Sequence, residues 1–273
     1  MAATISLLKK IGTISRKLAE PASMQRISLT PTRESESFQG RYTKAMIDVS
    51  EEAFLWVKKN EKAIIRTFIT DAGCVPDQRP ASIFMAGTPG AGKTEVARNL
   101  NKEFKVRAIH IDADEIRKLC PGYAVENAAL FQKAARKGVH ILHDYALKYG
   151  YNLILDATFA YGNAKENIRL SIEKGRKPAI YFVYQEPRVA WEFTKAREAT
   201  EKRNVPKVAF IGSYFMARQN VHEVKALFGE KVELNLIIKD IEKNLESLHL
   251  NIPEIDPFLP WVYSREELER ELT

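Results

Sequence analysis

Eight consecutive residues, Gly87-Thr88-Pro89-Gly90-Ala91-Gly92-Lys93-Thr94, fit the pattern G-x-x-x-x-G-K-[ST] at every fixed position. Glycines at this spacing let the backbone wrap round a polyphosphate, so that successive N–H groups and a helix N-terminus face the anion. In that pattern the lysine, Lys93, reaches the β- and γ-phosphates, and the hydroxyl of Thr94 binds Mg²⁺. The loop alone leaves a motor, a switch and a kinase open. Four further groups bear on that choice.

The first is Ile111-Asp112-Ala113-Asp114-Glu115-Ile116-Arg117. A carboxylate here can accept a proton from a substrate hydroxyl or orient Mg²⁺ through water. Asp112 and Asp114 lie two apart, so in extended chain both point the same way. Capping of the helix that follows is an alternative role for Asp114. The second group is Leu153-Ile154-Leu155-Asp156-Ala157-Thr158, an apolar strand ending in Asp, the general form of the Mg²⁺-side acid in P-loop enzymes. The third is the charged helix carrying Lys195, Arg197 and Glu198, followed by Lys202, Arg203 and Asn204. Guanidinium groups there can stabilise charge on a transferred phosphoryl. From these residues alone a solvated helix with pairs such as Glu198–Lys202 is the favoured reading. The fourth is His140 and His143, spaced i,i+3. Two histidines without a further Cys/His cluster read as core or surface rather than as a metal site.

Alternating elements must position these groups. Apolar runs predict strands over Ser82–Ala86, Val106–Asp112, Asn152–Asp156, Ala179–Tyr184 and Val232–Ile238. Between and around them, helices are predicted over 50–72, Gly92–Phe104, Glu126–Tyr149 and Asn163–Lys174, with two more opened by Pro187 and Pro206. Ser264 and Glu267 form a capping-box pattern for a last helix. The expected fold is therefore α/β: a P-loop NTPase or kinase fold with a five-stranded parallel sheet and helices on both faces. Ligands of such sheets bind beyond the carboxyl ends of the strands, where the candidate groups sit.

Residues 1–40 differ from 41–273, the expected catalytic domain. Ile5, Leu8, Ile11, Ile14 and Leu18 recur at helical spacing with Lys9, Lys10, Arg16 and Lys17 between them, a short basic amphipathic helix. Residues 21–40 read as a Pro/Ser/Thr-rich linker. The chain has 273 residues, 45% hydrophobic and 28% charged, ordinary for a soluble globular protein. A net charge of +7 suits a protein that handles anions, but without a run of five basic residues nucleic acid is not required. Cys74 and Cys120 have no metal-type spacing, which predicts a reduced, cytoplasmic protein. No apolar run approaches the length of a membrane span.

Taken together, the loop Gly87 to Thr94, the Ile111–Asp114 segment, the strand Asn152 to Thr158 and the arginine region Arg197 to Lys207 resemble the zeta toxin family, the kinase half of epsilon/zeta-type toxin–antitoxin systems. The resemblance runs from about Val49 to Asp240. It implies a P-loop kinase that moves the ATP γ-phosphate to the 3′-hydroxyl of UDP-N-acetylglucosamine. By that resemblance Lys93 holds the phosphates, Thr94 the Mg²⁺, and Asp114 is the base that takes the sugar proton. Arg197 and Arg203 contact the transferring phosphate, and Asp156 and Thr158 contact substrate. Toxin members usually carry Glu where this chain has Asp156, and His140 stands where they place a further sugar-contacting Glu. Both changes touch the sugar side. In the family a separate antitoxin blocks the nucleotide site with helices, a role the N-terminal helix could take within this chain. The alternatives are a kinase of another metabolite or of a nucleic acid end, and a non-catalytic ATP-binding switch.

Overall fold

The computed structural model of the chain describes residues 33–201, 204–240 and 245–272. The basic helix expected over Ile5–Leu18, with Lys202 and Arg203, lies outside the described residues. The five expected strands are present: β1 (Ser82–Ala86), β2 (Ile109–Asp112), β3 (Leu153–Asp156), β4 (Ala179–Gln185) and β5 (Glu233–Asp240). They are parallel, in the order β2-β3-β1-β4-β5. The expectation of five strands is corrected by a sixth. β6 (Leu245–His249) pairs antiparallel with β5 at the sheet edge. Its sequence, Leu-Glu-Ser-Leu-His, lacks the strict alternation that marks a half-buried strand. What holds it is pairing. Lys239 and Glu246 are register partners, and their side chains meet at 3.2 Å.

The central strands β1, β3 and β4 are buried on both sides, and the alternation of their residues shows by what. Ile83 and Met85 of β1, Ile154 of β3 and Val183 of β4 pack on Val96, Ala97 and Leu100 of α3 (Lys93–Glu103). Phe84, Leu155, Phe182 and Leu236 point the other way, into the main core with helices from both ends of the chain. The long helix α1 (Arg33–Lys59) contributes Ala53 and Val57 to that core. It starts well before the expected helix over 50–72, so residues 33–40 are helix rather than linker. After the short α2 (Glu61–Ile65) the chain makes one π-helical turn, Arg66–Thr70. Among the described residues α3 lies alone on the second face, α4 (Ala113–Leu119) follows β2, and α5 (Gln132–Tyr149) and α6 (Ala164–Glu173) flank β3. The first turn of the helix expected from Glu126 is instead 3₁₀, Val125–Phe131. Pro187 opens α7 (Pro187–Glu201), and Pro206 caps α8 (Lys207–Phe228), as expected. A capping box starts α9 (Arg265–Glu271), with Ser264 accepting from the Glu267 N–H. Among the described residues no helix is long and apolar enough to cross a membrane.

The amino ends of the strands are tied by two buried polar side chains. Arg176 donates to the Tyr151 and Ala146 carbonyls at 2.8 Å each, to the Ser82 hydroxyl at 3.2 Å and to the Ala81 carbonyl at 3.3 Å. Asn152 accepts from the Ala81 N–H at 2.7 Å and donates to the Val106 carbonyl at 2.8 Å. Burial pushes the Arg176 guanidinium down to about 10. The phosphate-loop motif lies at the opposite end of the sheet.

Candidate functional site

The chain leaves β1 for β2 in one direction and reaches β4 on the other side of β1. The carboxyl end of β1 is thus the point where the winding reverses, and there a doubly wound sheet opens a crevice for a ligand. Gly87 to Thr94 fills that point. Gly87 and Gly90 adopt positive φ, 128° and 77°. A side chain at either is excluded for a second reason. A Cβ at Gly87 would stand 2.3 Å from the Val183 carbonyl oxygen, and one at Gly90 2.0 Å from that of Ala190. Thr88, Pro89 and Ala91 complete the loop, and Gly92 caps α3. Lys93 is 9% exposed, and its ammonium donates to the Thr88 carbonyl oxygen at 2.5 Å, folded back across the concave side of the loop.

β3 ends beside this loop. Asp156 is buried, accepts hydrogen bonds from the Thr94 hydroxyl and from Nε2 of His110 at 3.2 Å, and feels the Lys93 charge. Burial works against its charge, yet His110, Thr94 and Lys93 outweigh that and hold its carboxyl below the ordinary value. Asp156 therefore lies beside Lys93 and Thr94 of the loop. Asp112 is its register partner on β2. Burial first, then the charges of Asp114 and Asp156, push the Asp112 carboxyl up to about 6, against the Asp114 N–H and His110. Adjacent carboxylates with pKa values driven apart are a common basis for dividing roles.

The helix cap at this point is Asp112, not Asp114. The strand stops at Asp112, whose Oδ1 accepts the Asp114 N–H at 2.8 Å. The expectation that both side chains share one extended face is corrected, because Asp114 already lies in the first turn of α4. Asp114 accepts from the buried guanidinium of Arg117, whose other Nη donates to Gln132 at the start of α5. Asp114 is thus set by a fixed neighbour rather than by its own rotamer.

Thr158 is tied to the loop through its backbone. Its carbonyl accepts the Gly87 N–H at 3.1 Å, and its hydroxyl accepts from the Ala160 N–H at 3.3 Å. The next residue, Phe159, is fully buried at a left-handed φ of 61°, a conformation costly for a side chain of this size. Asn220 of α8 secures that strained peptide by donating to the Phe159 carbonyl at 2.7 Å.

α7 approaches from the other side. The Ala190–Thr194 turn touches Gly90, since a Cβ there would also meet Thr194 Oγ1 at 2.7 Å. Arg197, exposed, follows one turn further along the same helix. The expected Glu198–Lys202 pair involves Lys202, outside the described residues; Glu198 takes Lys195 and Asn204. His140 is half-buried, two turns beyond Gln132, about 12 Å along the helix axis. Burial lowers its pKa, and the charges acting on it, Asp144 first, all belong to its own helix. His143 is fully buried with its ring against Phe84, a core residue. Among the described residues no cluster of three His, Cys, Asp or Glu is placed to hold a metal ion.

Two residues at the site escaped the sequence reading. His110 could have been found by its place two residues before Asp112 on a strand, sharing its face. Lys239 of β5 carried no such signal. It is 8% exposed, with its ammonium 3.1 Å from Glu95 and 2.9 Å from where a Gly92 Cβ would stand.

Comparison with known proteins adds to this geometry. The zeta toxin family model matches residues 66–248. A solved chain from the PezAT chromosomal toxin–antitoxin system of Streptococcus pneumoniae superimposes with a TM-score of 0.54 at 19% identity, over 82% of this chain and 87% of that one. A chain from an AvrRxo1-ORF1:-ORF2 structure with ATP gives a TM-score of 0.49 at 13% identity, over 75% of this chain and 64% of that one. No curated protein matches the chain. The first of these structures shares the α/β P-loop fold.

Proposed function

The chain belongs to the zeta toxin family, and on that footing we propose that it is an ATP-dependent phosphotransferase acting on a hydroxyl of UDP-N-acetylglucosamine or a related nucleotide sugar. The observation that carries this reading is one cluster: buried Lys93 and the Thr94–Asp156 hydrogen bond, with Asp114 fixed by Arg117 in the first turn after β2.

The donor set fits Mg²⁺, which takes hard oxygen ligands and keeps several waters. Thr94 would hold it directly and Asp156, kept ionised, through water. When bound, the ion neutralises charge on the β- and γ-phosphate oxygens. The residues of the chain do the rest. Lys93 exchanges the Thr88 carbonyl for phosphate oxygens. The loop glycines leave backbone N–H groups facing that anion. Asp114 accepts the proton of the attacking hydroxyl, with Arg117 fixing the direction of its carboxylate. Arg197 and Arg203 stabilise charge on the transferring group. Thr158 and His140 are assigned to the sugar side from the family resemblance, and Asp156, from its contacts with Thr94 and Lys93, to the phosphate side. Losing a general base costs about 10²–10⁴-fold and an arginine at the transferring phosphate about 10³–10⁵-fold.

The experiment is transfer of labelled phosphate from ATP to a panel of UDP-sugars, nucleotides and oligonucleotides. Lys93→Ala and Asp114→Ala should each abolish transfer, and an unchanged rate in either removes its assigned role. Asp112, pushed up to about 6, favours a second reading in which it is the proton acceptor. Asp112→Asn losing transfer while Asp114→Asn keeps it would select that reading. An antitoxin, or the segment before residue 33 in its place, would cover the nucleotide site. Equal ATP affinity with and without residues 1–32 rules out the internal version.

A further inference from the structure

The family match ends at residue 248, and the chain beyond it folds back onto the arginine-bearing helices. Leu268 and Leu272, both fully buried, join Ala190 and Trp191 of α7 and Phe210, Ile211 and Tyr214 of α8 in an apolar cluster separate from the two that hold the sheet. Polar contacts fasten the same place. Tyr263 donates its hydroxyl to Glu186 at 2.6 Å and its N–H to the Tyr214 hydroxyl at 3.1 Å. Lys207 at the start of α8 donates to the Glu269 carbonyl at 2.7 Å and to that of Leu272. Tyr184, at the end of β4, donates to the Trp261 carbonyl at 3.1 Å.

These contacts converge on one turn. Ala190 and Trp191, which share this apolar cluster with Leu268 and Leu272, belong to the turn whose carbonyl and Thr194 hydroxyl meet Gly90. Glu186, held by Tyr263, also accepts the Val189 N–H at 3.0 Å and so caps α7. The first two turns of α7 thus lie between the C-terminal segment on one side and the phosphate loop on the other. Arg197 is the next turn along. An exposed arginine gains its catalytic geometry from the rigidity of the helix that carries it, because a small misplacement weakens its contact with the transferring group.

We propose that residues 261–272 form a positioning strap that presses α7 onto the phosphate loop and so sets Arg197 over the bound polyphosphate. Tyr263 and Leu268 are its two anchors. They touch neither nucleotide nor acceptor and act through α7. The proposal rests on the phosphotransferase reading for its catalytic consequence, but the pressing of α7 is observable without catalysis.

The test compares Tyr263→Phe, which removes one hydroxyl, and Leu268→Ala with Leu142→Ala, an equally buried leucine of the main core. Both strap variants should lower kcat about tenfold and leave ATP affinity within about twofold. In an Arg197→Ala background they should add nothing, because the group they position is gone. Leu142→Ala should not show that coupling. Hydrogen exchange of the α7 amides with a bound ATP analogue should quicken about tenfold in the strap variants and stay unchanged in α3. Unchanged α7 exchange in Tyr263→Phe, which keeps the fold, overturns the strap whatever the enzyme does. Full additivity with Arg197→Ala overturns its catalytic role. Transfer that survives Lys93→Ala sinks the phosphotransferase reading instead, and leaves the exchange result to decide the strap.

Discussion

Asp112 is a carboxylate that the fold works against, and replacing it with asparagine should make the protein more stable. In the folded chain it titrates at about 6 rather than 3.8, through burial and then the charges of Asp114 and Asp156. The folded value is raised, so the ionised form carries a penalty. Below the unfolded value the group is protonated in both states and the penalty is absent. It grows as pH rises from 3.8 to about 6 and is complete above. That gap, at about 1.36 kcal/mol per pH unit, sets an upper limit of about 3 kcal/mol. The amide of Asp112→Asn cannot ionise, and its carbonyl oxygen can keep the cap that Asp112 makes with the Asp114 N–H at 2.8 Å. Urea unfolding of both proteins from about pH 4 to about pH 8 should show equal stability at the acid end and a gain of about 1–3 kcal/mol for Asp112→Asn at the alkaline end. A variant less stable than the parent near pH 8, or a difference that does not change with pH, would refute the reasoning.

Gly90→Ala forces a side chain into left-handed backbone and onto the Ala190 carbonyl 2.0 Å away. It should cost about 2–5 kcal/mol and abolish the thermal shift that ATP produces. Arg176→Met removes every donor that this side chain brings to the amino ends of β1 and β3. The carbonyls of Ala81 and Ala146 keep other partners, the N–H groups of Leu153 and Tyr151. The loss should therefore stop at about 1–3 kcal/mol, with ATP affinity unchanged, as unfolding and binding titrations would show. Lys93→Ala and Asp114→Ala should abolish phosphate transfer, and Tyr263→Phe should lower kcat through α7.

The sequence carried the phosphate loop because every residue it needs is contiguous, and its glycines are required by local dihedrals. It carried the ends of β1, β2 and β3 because buried parallel strands read as apolar runs that stop where polar chemistry begins. The arginine helix was legible as a helix, with Pro187 and Pro206 at its turns, but its contact with Gly90 arises from folding. β6 and Lys239 were not legible. Each is held by the other through the Lys239–Glu246 pair, and Lys239 meets Glu95 across 144 positions of sequence. His110 and Asp112 show the intermediate case: alternation puts them on one face, but only the register of β2 with β3 brings Asp156 to them. Asp114 had helix capping only as its alternative role; the strand ends at Asp112, as expected, and Asp112 itself makes the cap.

β2 lies at one edge of the sheet. The amide of Asn101 donates to the Ala108 carbonyl at 3.0 Å and accepts its N–H at 2.9 Å, occupying backbone groups at the start of that edge. A side chain there imitates the next strand without offering a further one. A strand of four residues so stopped is a poor template for a second chain. Stored at high concentration, the protein should resist the edge-to-edge association that open parallel sheets invite, and Asn101→Leu should make its solutions turn turbid sooner.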